Sequence, residues 1–307
     1  MRVGWAVCLM VPALALAADP EVDPDKVPVR STPVAGNIHF IEGAGGNIAA
    51  SAGPDGLLIV DDQFAPMAKK IHATLDKLSK KPIVYVLNTH WHGDHTGGNA
   101  IFGREGRIVA QREVRVRLAS VQKSPKGETP AAPKEALPVI TYDTGMSLYF
   151  NGEEVRLTHL PAGHTDGDTL VYFVGSNVLH MGDQFFAGTF PFIDVGTGGS
   201  VEGYVRNAEQ VLKTLPAGAK IIPGHGKLCE RADLERFVTM LRETTSLVRT
   251  QLAAGKTLEQ VKAAGLPPQF KSWGEGYVSQ DVWLETLYHG LQAKPEAARP
   301  EVAKDAK

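Results

Sequence analysis

Three imidazoles and a carboxylate fall within six consecutive residues, His90-Trp91-His92-Gly93-Asp94-His95. Imidazole and carboxylate are donors that borderline cations such as zinc accept. Spacing decides how they can be used. On a helix, His90 and His92 would point about 200° apart and could not share an ion. In an extended segment, residues i and i+2 face the same way. The segment therefore reads as a loop leaving the end of the apolar run Ile83–Leu87. Gly93 lets the backbone turn, so that Asp94 and His95 aim elsewhere. Trp91 alternates with the ligand positions and is expected to point away from them and pack.

A zinc ion takes about four ligands, so further donors are required. His164 stands in Pro161-Ala162-Gly163-His164-Thr165, Asp183 ends His180-Met181-Gly182-Asp183, and His225 stands in Ile221-Ile222-Pro223-Gly224-His225-Gly226. Each follows a strand-like run and is bordered by glycine, the pattern of ligands on loops at one edge of a sheet. Five of the ten histidines fall in this set. Asp61 ends another apolar run, Leu58-Ile59-Val60; it reads either as a support for a ligand or backbone, or as a turn residue beside Asp62. His159 and His180, on strands beside the motifs, are expected to be satisfied core groups or supports rather than ligands. His39, His72 and His289 are expected at the surface. Phe185, Phe186, Phe190 and Phe192 either line a pocket or pack their loop down.

The elements that must position these residues are legible in outline. A chain of 307 residues, 43% hydrophobic with net charge −2, suits a soluble globular enzyme of one large domain, alone or with an extension. The near-neutral charge gives no ground for a nucleic-acid partner. Residues 1–17 read as a signal peptide, with Arg2, an apolar run and Ala15-Leu16-Ala17 as cleavage site. The run is too short to span a membrane stably, which takes about 20 residues, so no stable insertion is expected after its removal. A periplasmic or secreted enzyme follows. Cys8 leaves with that segment, and Cys229 alone cannot form an intrachain disulfide; it reads as a packed thiol. Residues 18–36 read as an extended linker, 37–228 as the main domain, 229–293 as a helical extension of it, and 294–307 as a flexible tail. Strands are expected at 37–41, 47–50, 57–60, 83–87, 107–110, 147–150, 155–160, 170–174, 178–181 and 220–222. Helices are expected at 65–78, 96–102, 113–121, 204–215, 231–253, 258–264 and 281–291. The proline-rich stretch 124–138 reads as a solvated loop rather than a mobile flap.

The histidine motif, with Asp61, His164, Asp183 and His225 following in order, resembles the metallo-β-lactamase superfamily over roughly residues 37–228. That resemblance implies an α/β fold, an αββα sandwich of two mixed β-sheets flanked by helices with metals at a shared loop edge. It implies two Zn²⁺ per chain: His90, His92 and His164 on the first, Asp94, His95 and His225 on the second, and Asp183 bridging. Zinc lowers the pKa of bound water to about 7, so the implied activity is hydrolysis, with a hydroxide between the metals attacking the carbonyl of a small-molecule substrate. Asp94 would orient the hydroxide and is the catalytic candidate.

Substrate class is less settled by the resemblance. Lactamases of the first subclass carry a cysteine where Asp183 stands and a lysine where Phe186 stands; those of the third carry a serine at the former position. A bridging aspartate is more like glyoxalase II and lactonases, yet glutathione belongs to the cytosol. The reading is an exported hydrolase of β-lactam, lactone or thioester type. The alternatives are an iron-dependent redox enzyme of persulfide-dioxygenase type and a non-catalytic metal-binding protein. Oligomeric state is not encoded in any recognisable motif.

Overall fold

The computed structural model describes residues 23–124 and 127–292. The expected signal segment 1–17 and tail 294–307 lie outside the described residues.

In chain order the first strands are β1 (Arg30–Ala35), β2 (Ile38–Glu42), β3 (Ile48–Gly53) and β4 (Gly56–Val60), followed by helix α1 (Ala68–Leu78) and β5 (Ile83–Leu87). Two single helical turns, α2 (Gly93–Thr96) and α3 (Asn99–Phe102), precede β6 (Arg107–Gln111) and α4 (Arg112–Leu118). A small hairpin, β7 (Gln122–Ser124) and β8 (Gly127–Thr129), leads to β9 (Ile140–Tyr142). Then come β10 (Gly145–Phe150), β11 (Glu153–His159), β12 (Thr169–Phe173), β13 (Val178–Phe186), α5 (Val201–Thr214) and β14 (Lys220–His225). Helices α6 (Arg231–Ala253), α7 (Leu258–Ala264) and α8 (Gln280–Gln292) close the described chain.

One sheet runs β1-β2-β3-β4-β5-β6-β9 and the other β10-β11-β12-β13-β14, both mixed. The apolar side chains sort into three layers. Leu58 and Val60 of β4, with Ile38 and Phe40 of β2, face Val155, Leu157, Val171 and Phe173 of the second sheet. Leu57 and Ile59 of β4 face the other way, onto Ile71 and Leu75 of α1. With both faces covered, β4 has to be apolar throughout. The outer face of the second sheet packs under α5, α6 and α8, with Tyr204, Phe237 and Trp283 fully buried. This is the αββα sandwich, and helices 231–253 and 258–264 fall where their apolar period placed them.

Three expectations are corrected. Residues 30–35, assigned to the linker, form β1, paired antiparallel with β2; prolines at 28 and 33 masked the strand, and an edge strand tolerates Pro33. The 124–138 stretch is not plain loop, since β7, β8 and a 3-10 turn at Lys134–Ala136 occupy part of it. Strand β13 runs five residues beyond the expected end at 181, carrying Asp183 inside the sheet. Among the described residues no helix is long and apolar enough to cross a membrane.

Candidate metal centre

The parallel pairs β4–β5 and β13–β14 end at one edge of the sandwich, where open α/β sheets place their ligand sites. Asp61 follows β4, the His90–His95 segment follows β5 with Asp94 and His95 on the helical turn α2 rather than in the expected loop, Asp183 lies on β13, and His225 ends β14. The β13–β14 register shifts on both sides of Gly182, which has φ +50°. Such an irregularity re-aims a side chain within a sheet, and here it presents Asp183. Backbones crowd this edge. A Cβ on Gly224 would sit 2.0 Å from Asp183 Oδ1, and one on Gly46 would sit 2.0 Å from His95 Cε1.

All seven residues expected as ligands converge. His90, His92, His164 and Asp183 offer donor atoms within 4.8 Å of one another, as do Asp94, His95 and His225. Asp183 faces both groups. Its Oδ2 lies 3.3 Å from His164 Nε2 and 3.8 Å from His90 Nε2. Its Oδ1 lies 3.0 Å from His95 Nε2 and 3.4 Å from His225 Nε2. Asp94, a quarter exposed, places Oδ2 3.3 Å from His225 Nε2 and 3.5 Å from His95 Nε2.

The hydrogen bonds behind the imidazoles fix which nitrogen faces inward. His164 Nδ1 lies 2.8 Å from the Phe192 carbonyl, which can only accept, so Nδ1 carries the proton. His92 Nε2 donates to Asp194 Oδ2 at 2.9 Å, and His95 Nδ1 to Asp61 Oδ2 at 2.7 Å. Thr89 Oγ1 donates to Asp61 Oδ2 at 2.7 Å, which leaves it to accept from His90 Nδ1 at 3.0 Å. The inward nitrogens therefore present lone pairs. His92 Nδ1 and His164 Nε2 face each other at 2.8 Å, while His90 Nε2 and Asp183 Oδ1 are buried with no hydrogen-bond partner. Buried acceptors converging without donors suit a cation. The residues present fit zinc.

Electrostatics divide the imidazoles: against burial, neighbouring carboxylates raise His92, His95 and His225, while burial lowers His90 and His164. Burial drives the His90 imidazole well below its usual range and His164 to about 4, keeping both neutral. Burial opposes charge on His95 and His225 as well, but the surrounding carboxylates outweigh it, raising His95 strongly and His225 to about 9. Burial alone would raise Asp183, yet the imidazoles of His95 and His225, themselves raised, hold it well below the usual carboxylate range.

The supports resolve the open alternatives. Asp61, fully buried, accepts from Thr89 N at 2.8 Å as well as from Thr89 Oγ1 and His95. Its φ of +63° is a strained conformation, worth about 1–3 kcal/mol for a residue other than glycine, which those bonds hold in place. His180 is a satisfied core group, bonded to the Asn47 carbonyl and the Gly182 amide. His159 bonds the Asp168 carbonyl. His39 and His289 are half-buried rather than on the surface, while His72 pairs with Glu105 and Asp76. Trp91 packs beside the centre, its ring 4.7 Å from that of His92. Phe185 and Phe190 are core, against Phe237 and Trp283; Phe186 and Phe192 border the histidines. Cys229 is a buried thiol.

Sequence reasoning missed Asp194, Thr89, Asp168 and Tyr204. Asp168 accepts from Thr165 N, Thr165 Oγ1 and Gln184 Nε2, holding the turn that carries His164; burial pushes its carboxyl up to about 7 against those bonds. Tyr204, on α5, donates to the Asp183 carbonyl at 2.8 Å. Thr89 adjoins the motif and was open to notice, whereas nothing local marks Asp194 as a partner of His92.

The sequence profile of the Metallo-beta-lactamase superfamily matches residues 32–225. Among curated proteins, the chain is 28% identical over 184 residues to a hydroxyacylglutathione hydrolase of Pelagibacter ubique (strain HTCC1062), the match covering 55% of this chain and 64% of that one. It thus spans just under two thirds of that relative's length. It is 23% identical over 233 residues to the 2,4-dinitroanisole O-demethylase subunit alpha of Nocardioides sp. (strain JS1661), covering 75% and 68% respectively. In fold it is similar to a metallo-beta-lactamase from Pontibacter korlensis, with TM-score 0.58 and 15% identity over 70% of this chain and 99% of that one. Profile, sandwich and converging histidines agree, and the chain belongs to the metallo-β-lactamase superfamily.

Proposed function

We propose that this protein is an exported hydrolase holding two cations, zinc by donor type, that cleaves an acyl bond of a small molecule: ester, lactone, thioester or β-lactam. The observation that carries it is Asp183, whose two carboxylate oxygens face separate ligand groups. His90, His92 and His164 would hold one ion, Asp94, His95 and His225 the other, with Asp183 between. Zinc in such a site supplies activated water at neutral pH and polarises a carbonyl.

The chain's own residues do the rest. Asp94 Oδ2 faces His95 and His225, and we assign its other oxygen, Oδ1, as acceptor of a hydrogen bond from the attacking water. Asp194, Asp61, Thr89 and the Phe192 carbonyl hold four imidazoles in the tautomer that offers lone pairs inward. The hydroxyacylglutathione hydrolase relative supports thioester cleavage as a reaction type; residues 1–17, read as a signal peptide, turn the choice away from glutathione itself.

The test is a panel of thioesters, lactones, esters and β-lactams offered to zinc-loaded protein, with intact-mass measurement of the exported product. Cleavage of one class, by a chain beginning near Ala18, is expected. Oxygen consumption with a persulfide and no hydrolysis would replace this reading with the redox one.

A further inference from the structure

Two loops meet behind the first ligand group. His164 lies on the turn after β11, and Asp194, which holds His92, lies on the loop before α5. Backbone bonds join them: Asp194 N donates to the His164 carbonyl at 2.9 Å, and Ser200 N to the Gly163 carbonyl at 2.8 Å. Arg117, on α4, reaches both loops. Its Nη2 donates to Asp166, just past His164, and to the Thr197 carbonyl, just past Asp194, at 2.7 Å. Its Nε donates to Asp166 Oδ1 at 3.3 Å.

This grip differs from an exposed ion pair, which contributes little. The side chains of Arg117 and Asp166 are only 13% and 20% exposed. A guanidinium held at two points fixes geometry as a point charge does not. The backbone makes room for the approach. A Cβ on Gly167 would sit 2.9 Å from Val114 Cγ2 of α4, and one on Gly198, with φ +95°, would sit 2.9 Å from Asp166 Oδ2.

The grip matters because the ligand set is split. His90 and His92 follow β5, whose neighbour β6 leads into α4, whereas His164 comes from the second sheet. His92 Nδ1 and His164 Nε2 face each other at 2.8 Å across that seam. Their separation depends on how firmly α4 is tied to the loops of His164 and Asp194. The second group is held otherwise, with His95 on Asp61 and His225 on the β13–β14 pairing.

We propose that Arg117 is a positioning residue for the ion held by His90, His92 and His164: by clamping α4 to Asp166 and the Thr197 carbonyl, it sets the spacing of ligands that come from opposite sheets. The inference rests on the reading that these histidines hold a cation.

Zinc affinity, read by competition with a chromophoric chelator, tests it on two backgrounds. His225→Ala leaves the first group intact, and His164→Ala leaves the second. Arg117→Gln is expected to weaken zinc roughly tenfold on the first background and to leave the second nearly unchanged. Arg117→Lys keeps the charge without the fork and should fall between. Asp166→Asn should match Arg117→Gln, and the double variant should be no weaker than either, because both remove one clamp. In the metal-stripped variants, hydrogen exchange should quicken at 162–166 and 192–199 and not at 221–226. Unchanged affinity on the first background, equal losses on both, or additive losses would overturn the clamp. Collapse of the fold in every variant would assign Arg117 to the scaffold and overturn it too. Zinc binding that depends on Arg117, with no acyl cleavage by the zinc-loaded parent, would keep the clamp and overturn the hydrolase reading. A parent protein that binds no zinc would overturn the metal reading, and the clamp with it.

Discussion

Asp194 Oδ2 lies 2.9 Å from His92 Nε2, across 102 residues of sequence. Both are largely buried, and the contact leaves His92 Nδ1 turned toward His164 and Asp183. A carboxylate behind a ligand imidazole fixes its tautomer and raises its basicity. Asp194→Ala should therefore weaken metal binding at the His90–His92–His164 group by roughly 10–100-fold, with the other group little affected. Competition against a chromophoric chelator reads this directly. Unchanged affinity for both ions would show that His92 is oriented by its neighbours alone.

Asp183 is a different case, because it faces both groups. Asp183→Asn keeps the shape and removes the charge between the two proposed dications. Loss of at least one bound ion is expected, with a fall in rate larger than the roughly 10–100-fold of an outer support. Asp183→Cys restores a thiolate, a good zinc ligand; β-lactam cleavage should rise as other acyl cleavage falls. An Asp183→Asn protein that keeps both ions and near-normal rates would assign Asp183 to the scaffold.

Cys229 should be inert. It is buried, its Sγ donates to the Lys227 carbonyl, and burial pushes the thiol up to about 12. Thiol reagents at pH 8 should label it only after denaturation. Because the folded value is raised, folding favours the protonated thiol. Its contribution to stability is complete below the ordinary thiol range, about 8.5, and is lost as pH rises toward about 12. Rapid labelling of the native protein at pH 8 would show that the thiol is accessible.

What was legible in the sequence follows the range of the physics. The seven candidate ligands announced themselves by residue type, spacing and bordering glycines, and the structure gathers them. Helices 231–253 and 258–264 declared themselves through their apolar pattern, and the structure adds capping boxes at their first turns, Glu230 with Asp233 and Thr257 with Gln260. Strand β1 was hidden, because pairing with β2 is a tertiary fact and its prolines mimic a linker. The extent of β13 was hidden as well, since Gly182 and Asp183 look like a strand's end and are instead an irregularity inside it. Asp194 carries no local signal at all: its contact with His92 spans 102 residues of sequence.

We propose that two cations, held by Asp183 and the six residues around it, make this protein a hydrolase. Zinc titration of the metal-stripped protein tests it most directly, with bound metal, thermal stability and acyl cleavage followed together. Two equivalents should bind, each raising the unfolding temperature because a ligand of the folded state stabilises it by mass action, and cleavage should reach its plateau with the second. Full cleavage in the metal-stripped protein, or a plateau with less than one ion per chain, would contradict the account.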